Sequence, residues 1–136
     1  MTVFVLDSSA VLRFLDSEAG ADRVGEIFEL RGAQTAEIAI SAVQWGEIAG
    51  KVRKRLGVSG QNRAVALLSR FQPTIVAATC DRAVNAAELK IDRGISYADA
   101  FALNLAMDSP QHVLVTADYD FKAVEDLARV EFLPAK

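Results

Sequence analysis

The chain has 136 residues, of which 51% are hydrophobic, and this is enough apolar material for the core of one compact domain. Acidic residues outnumber basic residues by 18 to 15, giving a net charge of −3, so the protein as a whole lacks the charge of a general nucleic-acid binder. One cysteine, Cys80, and one histidine, His112, exclude an internal disulfide, a cysteine-based zinc site and any mechanism that needs two histidines.

The N-terminal segment is apolar, but it has no basic leader, and Asp7 and Arg13 interrupt it. We therefore expect no signal peptide, no membrane span and a cytoplasmic location. No repeat, low-complexity tract or linker divides the sequence. Residues 1–136 are expected to form a single domain.

Short β-branched runs alternate with longer segments of helical periodicity along the chain. The expected strands are 3–6, 37–40, 74–78, 112–116 and 130–133. The expected helices are 8–16, 19–31, 42–57, 60–71, 81–93, 97–108 and 121–128. This alternation predicts an α/β fold, a three-layer sandwich with a mainly parallel central sheet of about five strands flanked by helices.

Two aspartates follow expected strands. Asp7 comes directly after the first strand, and Asp118 comes after HVLVT, which Thr116 closes. In open α/β sheets, ligands bind outside the carboxyl ends of the strands. We therefore expect Asp7 and Asp118 to lie at the ligand-binding edge of the sheet.

Each aspartate also has a purely structural interpretation. Asp7 is suited to cap the helix that follows it, and Asp118 or Asp120 is suited to cap the helix expected at 121–128. Ser96 and Asp99 have the spacing of a capping box at the head of an apolar helix. Position alone does not decide between a cap and a functional group.

Glu47 lies on an expected helix, on the side away from the apolar face, where pairing with Lys51 one turn later would leave it solvated. If Glu47 and the aspartates instead share one cleft, their charges repel each other and a cation is needed to neutralise them. Carboxylate oxygens suit Mg²⁺ or Mn²⁺, which also bind phosphate oxygens. The acidic residues therefore point to metal-assisted hydrolysis of phosphodiester bonds by an activated water.

Four segments, in this order, resemble the PIN-domain family and, within it, the VapC-like ribonuclease toxins of toxin–antitoxin pairs: VFVLDSSAVLRFL, ISAVQWGEIAGKV, ISYADAFALNLA and VLVTADYDF. The resemblance spans nearly the whole chain and implies a PIN-like fold. The site residues that it implies fall into two groups. The metal-binding and catalytic residues are Asp7, Glu47, Asp99 and Asp118, and the supporting residues are Ser8, Thr116 and Asp120, with Asp120 also an alternative ligand to Asp118.

The resemblance further implies a metal-dependent endoribonuclease with Mg²⁺ or Mn²⁺, an RNA substrate, an antitoxin partner and a homodimer. Two alternatives stay open: a non-catalytic PIN-like module that binds RNA or protein, and an acidic-pocket magnesium phosphatase. The phosphatase is disfavoured because it requires Asp-x-Asp after the first strand, and position 9 is Ser9.

The densest basic cluster lies in KVRKRLG, on the helix that carries Glu47. By helical spacing, Lys51, Lys54 and Arg55 lie on the same side as Glu47, so we expect them to bind RNA phosphates. The alternative is a solvated helix end, where cations are favoured by the helix dipole.

Overall fold

A parallel sheet of five strands forms the centre of the structure, a computed structural model that describes residues 1–136. The strands are β1 (Val3–Leu6), β2 (Glu37–Ser41), β3 (Thr74–Val76), β4 (His112–Thr116) and β5 (Arg129–Phe132). Their order is β3-β2-β1-β4-β5, and every neighbouring pair is parallel. The expected α/β fold is confirmed, and the sheet is wholly rather than mainly parallel.

Helices connect the strands on both faces of the sheet. They are α1 (Ser8–Leu15), α2 (Ala21–Gly32), α3 (Ala42–Ser69), α4 (Cys80–Arg93) and α5 (Tyr97–Ala106), with a short 3-10 helix at Tyr119–Val124. None of these helices combines the length and the apolar character that crossing a membrane requires.

The pleat of the strands divides the hydrophobic core into two layers. On β1, Phe4 and Leu6 pack on one side of the sheet with Ile27 of α2. Val5 points to the opposite side and packs with Phe101 of α5. A strand buried on both faces is typical of the centre of a parallel sheet. The three-layer arrangement that the sequence predicted is therefore confirmed.

The helices expected at 42–57 and 60–71 are present as two helical segments of α3, which meet at a kink. Gly57 lies at the kink with φ 70° and ψ −170°, a backbone conformation that is essentially restricted to glycine. The first helical segment thus ends at Gly57, as the sequence signal there predicted, and the chain bends before the second segment.

Two elements differ from expectation. The strand expected at 74–78 ends at Val76, because its partner β2 ends at Ser41, whose hydroxyl caps α3 by accepting the Val43 N–H. The helix expected at 121–128 is a 3-10 helix that begins at Tyr119 and ends at Val124. Both differences arise where a neighbouring element or a cap limits the length of the segment.

The kink gives the first testable prediction. Gly57→Ala should lower the free energy of unfolding by about 1–3 kcal/mol, since alanine is strained in this conformation. Gly50→Ala is the matched control in the same helix, where an added Cβ meets no atom within 4 Å. It should stabilise the protein by about 0.5–1 kcal/mol. Chemical denaturation measures both, and a stabilising effect of Gly57→Ala would contradict the assigned kink.

Candidate active site

Four acidic side chains approach the carboxyl-terminal edge of the sheet from four different elements. Asp7 follows β1, and Asp118 follows β4, which pairs with β1 in register. Glu47 lies near the start of α3, and Asp99 lies in the first turn of α5. The parallel topology therefore collects residues that are far apart in sequence at one edge.

Asp7 is the most deeply buried of the four, with 3% of its surface exposed. Its Oδ2 atom accepts hydrogen bonds from Ser9 Oγ at 2.7 Å and from Thr116 Oγ1 at 2.9 Å. Its Oδ1 atom is buried and has no hydrogen-bond partner. Asp7 stands at the N-cap position of α1, but its side chain accepts no capping hydrogen bond. The capping interpretation therefore does not account for this buried carboxylate.

The surroundings of Asp7 favour its neutral form. Burial raises the pKa of Asp7 above its usual range, against the opposing effect of the hydrogen bonds from Ser9 and Thr116, and the negative charge of Glu47 raises it further. A carboxylate in this position needs either a proton or a cation nearby.

Asp99 is influenced by the other three acidic side chains. Its pKa is raised to about 6, mainly by burial and then by the charges of Asp7 and Asp118, with a smaller effect of Glu47, while a hydrogen bond with Ser96 opposes them. The helix is capped by Ser96, whose Oγ accepts the Asp99 N–H at 3.1 Å. The cap thus requires the backbone of Asp99 and leaves its carboxylate facing the other acids.

Glu47 is partly buried and faces the start of α1. Its Oε1 atom accepts a hydrogen bond from Ser8 Oγ at 3.1 Å, and it forms no ion pair with Lys51. The structure therefore does not show the solvated Glu47–Lys51 pair that helical spacing left open.

Asp118 serves both as a cap and as a neighbour of the acidic group. Its Oδ1 atom accepts the Asp120 N–H at 2.9 Å at the start of the 3-10 helix, and Thr116 Oγ1 accepts the Asp118 N–H at 2.9 Å. The charge of Asp118 acts on Asp99, whereas Asp120 is exposed and has no such influence. The geometry thus favours Asp118 over Asp120 as the member of the acidic group.

Two residues that the sequence analysis passed over support the site. Ser9 bonds Asp7 and accepts the Ala117 N–H at 2.9 Å. Gln44 is fully buried, and its Nε2 donates to the Ala98 carbonyl at 2.6 Å, which links the start of α3 to the start of α5. The spacing of Gln44 from Ile48, one turn later on the buried face, was the available signal for its burial.

A groove of about 880 Å³ begins beside the acidic group, where Ser9 and Asp118 line it. Lys51 and Lys54 line the same groove, and neither forms an ion pair. Arg55 also lines it but binds both carboxylate oxygens of Asp16, at 2.7 and 2.8 Å. The structure therefore brings all three expected cations to the groove but neutralises one of them.

Arg13 is a groove cation that the sequence analysis did not select. Its guanidinium donates to the carbonyl oxygens of Ala19 at 2.7 Å and Pro134 at 2.8 Å. Because carbonyl groups carry no net charge, Arg13 keeps its positive charge at the groove. Its role was not visible in the sequence because both partners become neighbours only on folding.

The acidic group does not form a closed metal cage. No set of three or more His, Cys, Asp or Glu side chains has the geometry to hold one metal ion directly. The chemistry of the group still suits a hard cation, since all four side chains offer carboxylate oxygens and Asp7 Oδ1 has no hydrogen-bond donor.

These features define a class of protein: a parallel α/β domain with mutually repelling carboxylates at the carboxyl edge of its sheet and a partly basic groove beside them. A model of the PIN-domain family matches residues 4–127. The chain therefore belongs to the PIN-domain family, as its sequence motifs predicted. No curated protein matches the chain in a sequence comparison.

Solved structures share this fold at low sequence identity. VapBC2 from Rickettsia felis, bound to a DNA fragment from its promoter, matches with a TM-score of 0.73 and 18% identity over 98% of this chain and 100% of that one. VapC20 from Mycobacterium tuberculosis, a toxin that cleaves the sarcin–ricin loop, matches with a TM-score of 0.71 and 21% identity over the same shares of both chains. VapBC from Salmonella typhimurium, bound to DNA, matches with a TM-score of 0.68 and 18% identity over 97% of this chain and 98% of that one.

The raised pKa of Asp99 gives the second prediction. The folded state holds a proton on Asp99 up to pH about 6, whereas the unfolded state loses it near pH 3.9. The stabilisation is therefore complete below pH 4 and is lost as the pH rises through 6. Without divalent cations, Asp99→Asn should exceed the wild type in stability above pH 7 by roughly 1–2 kcal/mol, allowing for solvent screening, but not below pH 4.

Denaturation curves across the pH range measure this difference. Asp92→Asn is the matched control, because Asp92 is exposed on α4. Its stability should follow that of the wild type at every pH. A constant offset between Asp99→Asn and the wild type across the range would show that Asp99 does not carry the proton.

Proposed function

We propose that this chain is a divalent-metal-dependent endoribonuclease and the toxin of a toxin–antitoxin pair. The observation that carries the proposal is the buried Asp7 Oδ1 atom, which has no hydrogen-bond donor and belongs to a group of four carboxylates whose charges help to raise the pKa values of Asp7 and Asp99. Membership of the PIN-domain family and the shared fold with VapC20, a toxin that cleaves the sarcin–ricin loop, support the choice of RNA.

The cation that best suits this group is Mg²⁺ or Mn²⁺. Magnesium is usually held through one or two carboxylates and keeps several of its waters, so it does not require three acids closed around one point. We infer that Asp7 and Asp99 are the principal ligands and that Glu47 and Asp118 bind directly or through water. A bound divalent ion would neutralise these charges, polarise the phosphate and activate a water for hydrolysis.

The protein side chains prepare the site for this chemistry. Ser9 and Thr116 hold one oxygen of Asp7 and leave the other available. Ser8 holds Glu47 near the start of α1. Hydrogen bonds of this kind fix the orientation of metal-binding carboxylates and tune their affinity. We therefore retain Ser8 and Thr116 as supporting residues and add Ser9.

RNA reaches the site along the groove. Lys51, Lys54 and Arg13 supply positive charge that no carboxylate neutralises, and this charge offsets the repulsion between the acidic site and phosphates. A phosphatase is less well supported, because Ser9 occupies the position of its second aspartate. A non-catalytic binding module remains the alternative that a cleavage assay decides.

We further propose a partner and a cellular setting. Two VapBC structures that share this fold are bound to DNA, and a third, VapBC-5 from Mycobacterium tuberculosis, is a member of the VapBC family of toxin–antitoxin systems. An antitoxin for this chain would cover the acidic site, and an arginine is the side chain best suited to pair with its carboxylates. The chain is proposed to act as a homodimer in the cytoplasm.

The third prediction concerns the acidic residues. Asp7→Asn, Asp99→Asn and Asp118→Asn should each lower RNA cleavage by about 100-fold or more, since even residues that only support metal ligands contribute 10–100-fold. Chelation of divalent cations should abolish cleavage. Only the wild type should inhibit growth when it is produced without a partner. The assays are cleavage of total RNA with Mg²⁺ or Mn²⁺ and growth of the producing cells.

Asp120→Asn is the matched control for Asp118→Asn and should cleave RNA close to the wild-type rate. Circular dichroism and melting temperature show that each variant is folded. Near-normal cleavage by folded Asp7→Asn or Asp99→Asn would overturn the site. Absence of any cleavage by the wild type with either metal would favour the binding module.

The fourth prediction tests the path of RNA. Because Asp16 neutralises Arg55, the test is restricted to Lys51 and Lys54. In an Asp99→Asn background with Mg²⁺ present, Lys51→Gln with Lys54→Gln should flatten the slope of log affinity against log salt by about 1.4, since each phosphate contact to single-stranded RNA contributes about 0.7.

Arg53→Gln with Lys90→Gln is the matched control. It removes the same charge from exposed positions outside the groove and should leave the slope nearly unchanged. Equal slopes for the two double variants would show that Lys51 and Lys54 only form a solvated helix end.

A further inference from the structure

Tyr119 is the only aromatic side chain that lines the groove, and it directly follows Asp118 in the chain. Its side chain is 41% exposed. Its hydroxyl donates to the Leu133 carbonyl at 2.8 Å, and its ring packs edge to face on Phe132 at 5.4 Å between centroids. An exposed aromatic ring is thus held in a fixed orientation beside the acidic group.

The backbone under Tyr119 is equally well fixed. The 3-10 helix that it begins is capped by Asp118 and anchored by Phe121 and Val124, which are 1% and 0% exposed. Lys122 places its ammonium group over the Tyr119 ring, 5.2 Å from the ring centre. The ring is therefore held in place with a cation over one of its faces, so a flat ligand would stack on the other face.

We propose that Tyr119 is a stacking site for a nucleobase of the RNA substrate, on a nucleotide next to the phosphate at the acidic group. This proposal rests on the proposed nuclease function. A charged groove that follows the backbone, combined with an aromatic ring for the bases, is how proteins bind single-stranded nucleic acid. Here Lys51, Lys54 and Arg13 supply the charge, and Tyr119 supplies the ring.

Tyr97 provides a closely matched control. It is also 41% exposed, its hydroxyl donates to the Ala83 carbonyl at 3.3 Å, and its ring packs edge to face on Phe101 at 5.0 Å. Tyr97 does not line the groove. A change at Tyr97 therefore reproduces the loss of an exposed, anchored tyrosine without touching the proposed stacking site.

The test compares two probes in the Asp99→Asn background with Mg²⁺ present: a short oligoadenylate, and an oligomer of the same length and charge that lacks all bases. Tyr119→Leu should weaken oligoadenylate binding by about tenfold, since stacking on an aromatic side chain contributes at this level. It should leave binding of the base-free oligomer unchanged. Tyr119→Phe keeps the ring and should bind oligoadenylate nearly as well as the parent, and so should Tyr97→Leu.

A second measurement does not depend on any variant that might unfold. The chain contains only two tyrosines, so their ring signals are readily assigned by nuclear magnetic resonance after selective labelling. Oligoadenylate should shift the Tyr119 ring signals strongly, and the base-free oligomer should not. The Tyr97 ring signals should stay in place with both probes.

Three outcomes would overturn the stacking site: equal loss of affinity for both oligomers in Tyr119→Leu, an equal loss in Tyr97→Leu, or unshifted Tyr119 ring signals. Should the wild type cleave cellular RNA while binding both oligomers equally, the nuclease would stand and the stacking site would fall. If it neither binds nor cleaves RNA with Mg²⁺ or Mn²⁺, the proposed function fails together with this inference.

Discussion

The burial of the Asp7 carboxylate is the constraint on which the rest of the site depends. A buried negative charge is costly unless hydrogen bonds or a cation compensate for it. The fold supplies part of this compensation through Ser9 on α1 and Thr116 at the end of β4, both of which bond the same oxygen. The other oxygen is left without a donor, so the compensation remains incomplete until a proton or a cation binds.

The charges of the neighbouring acidic side chains are also incompletely compensated, because the packing of α3 and α5 holds these side chains close together. Gln44 ties the first turn of α3 to the carbonyl of Ala98, immediately before Asp99. This link fixes Asp99 near the other carboxylates, although burial and then their charges raise its pKa to about 6. Holding these like charges together lowers the free energy of unfolding, and such groups of perturbed carboxylates are typical of functional sites. Binding of a divalent cation would reverse the sign of this interaction.

Much of the fold was predictable from sequence because its signals are local. The alternation of β-branched runs and helical segments predicted the strand edges at Asp7 and Asp118. Gly57 marked the end of a helical segment correctly, because its left-handed backbone conformation is a local property of glycine. The end of the third strand was misjudged, because the length of β3 is decided by the end of its neighbour at Ser41. The length of β3 is therefore determined only when it pairs with β2.

The site was also only partly predictable from the sequence. Motif order was enough to nominate the four acids, but only the hydrogen bonds show which of their side chains act as helix caps. Asp7 makes no capping bond, Asp118 makes one, and Ser96 rather than the carboxylate of Asp99 caps α5. The identity of the free cations was also hidden, because the pairing of Arg55 with Asp16 joins α3 to the end of α1.

The segment after β5 explains how an acidic protein keeps a usable positive groove. This segment, residues 133–136, contains no acidic side chain, and its carbonyl groups hold two residues of the groove: the Pro134 carbonyl accepts a hydrogen bond from Arg13, and the Leu133 carbonyl accepts one from the hydroxyl of Tyr119. Carbonyl oxygens orient these two side chains without cancelling the charge of Arg13. Carboxylates neutralise two other cations that line the groove, since Glu18 pairs with Lys136 and Asp16 pairs with Arg55. The groove thus retains the positive charge of Arg13, Lys51 and Lys54, although the net charge of the protein is −3.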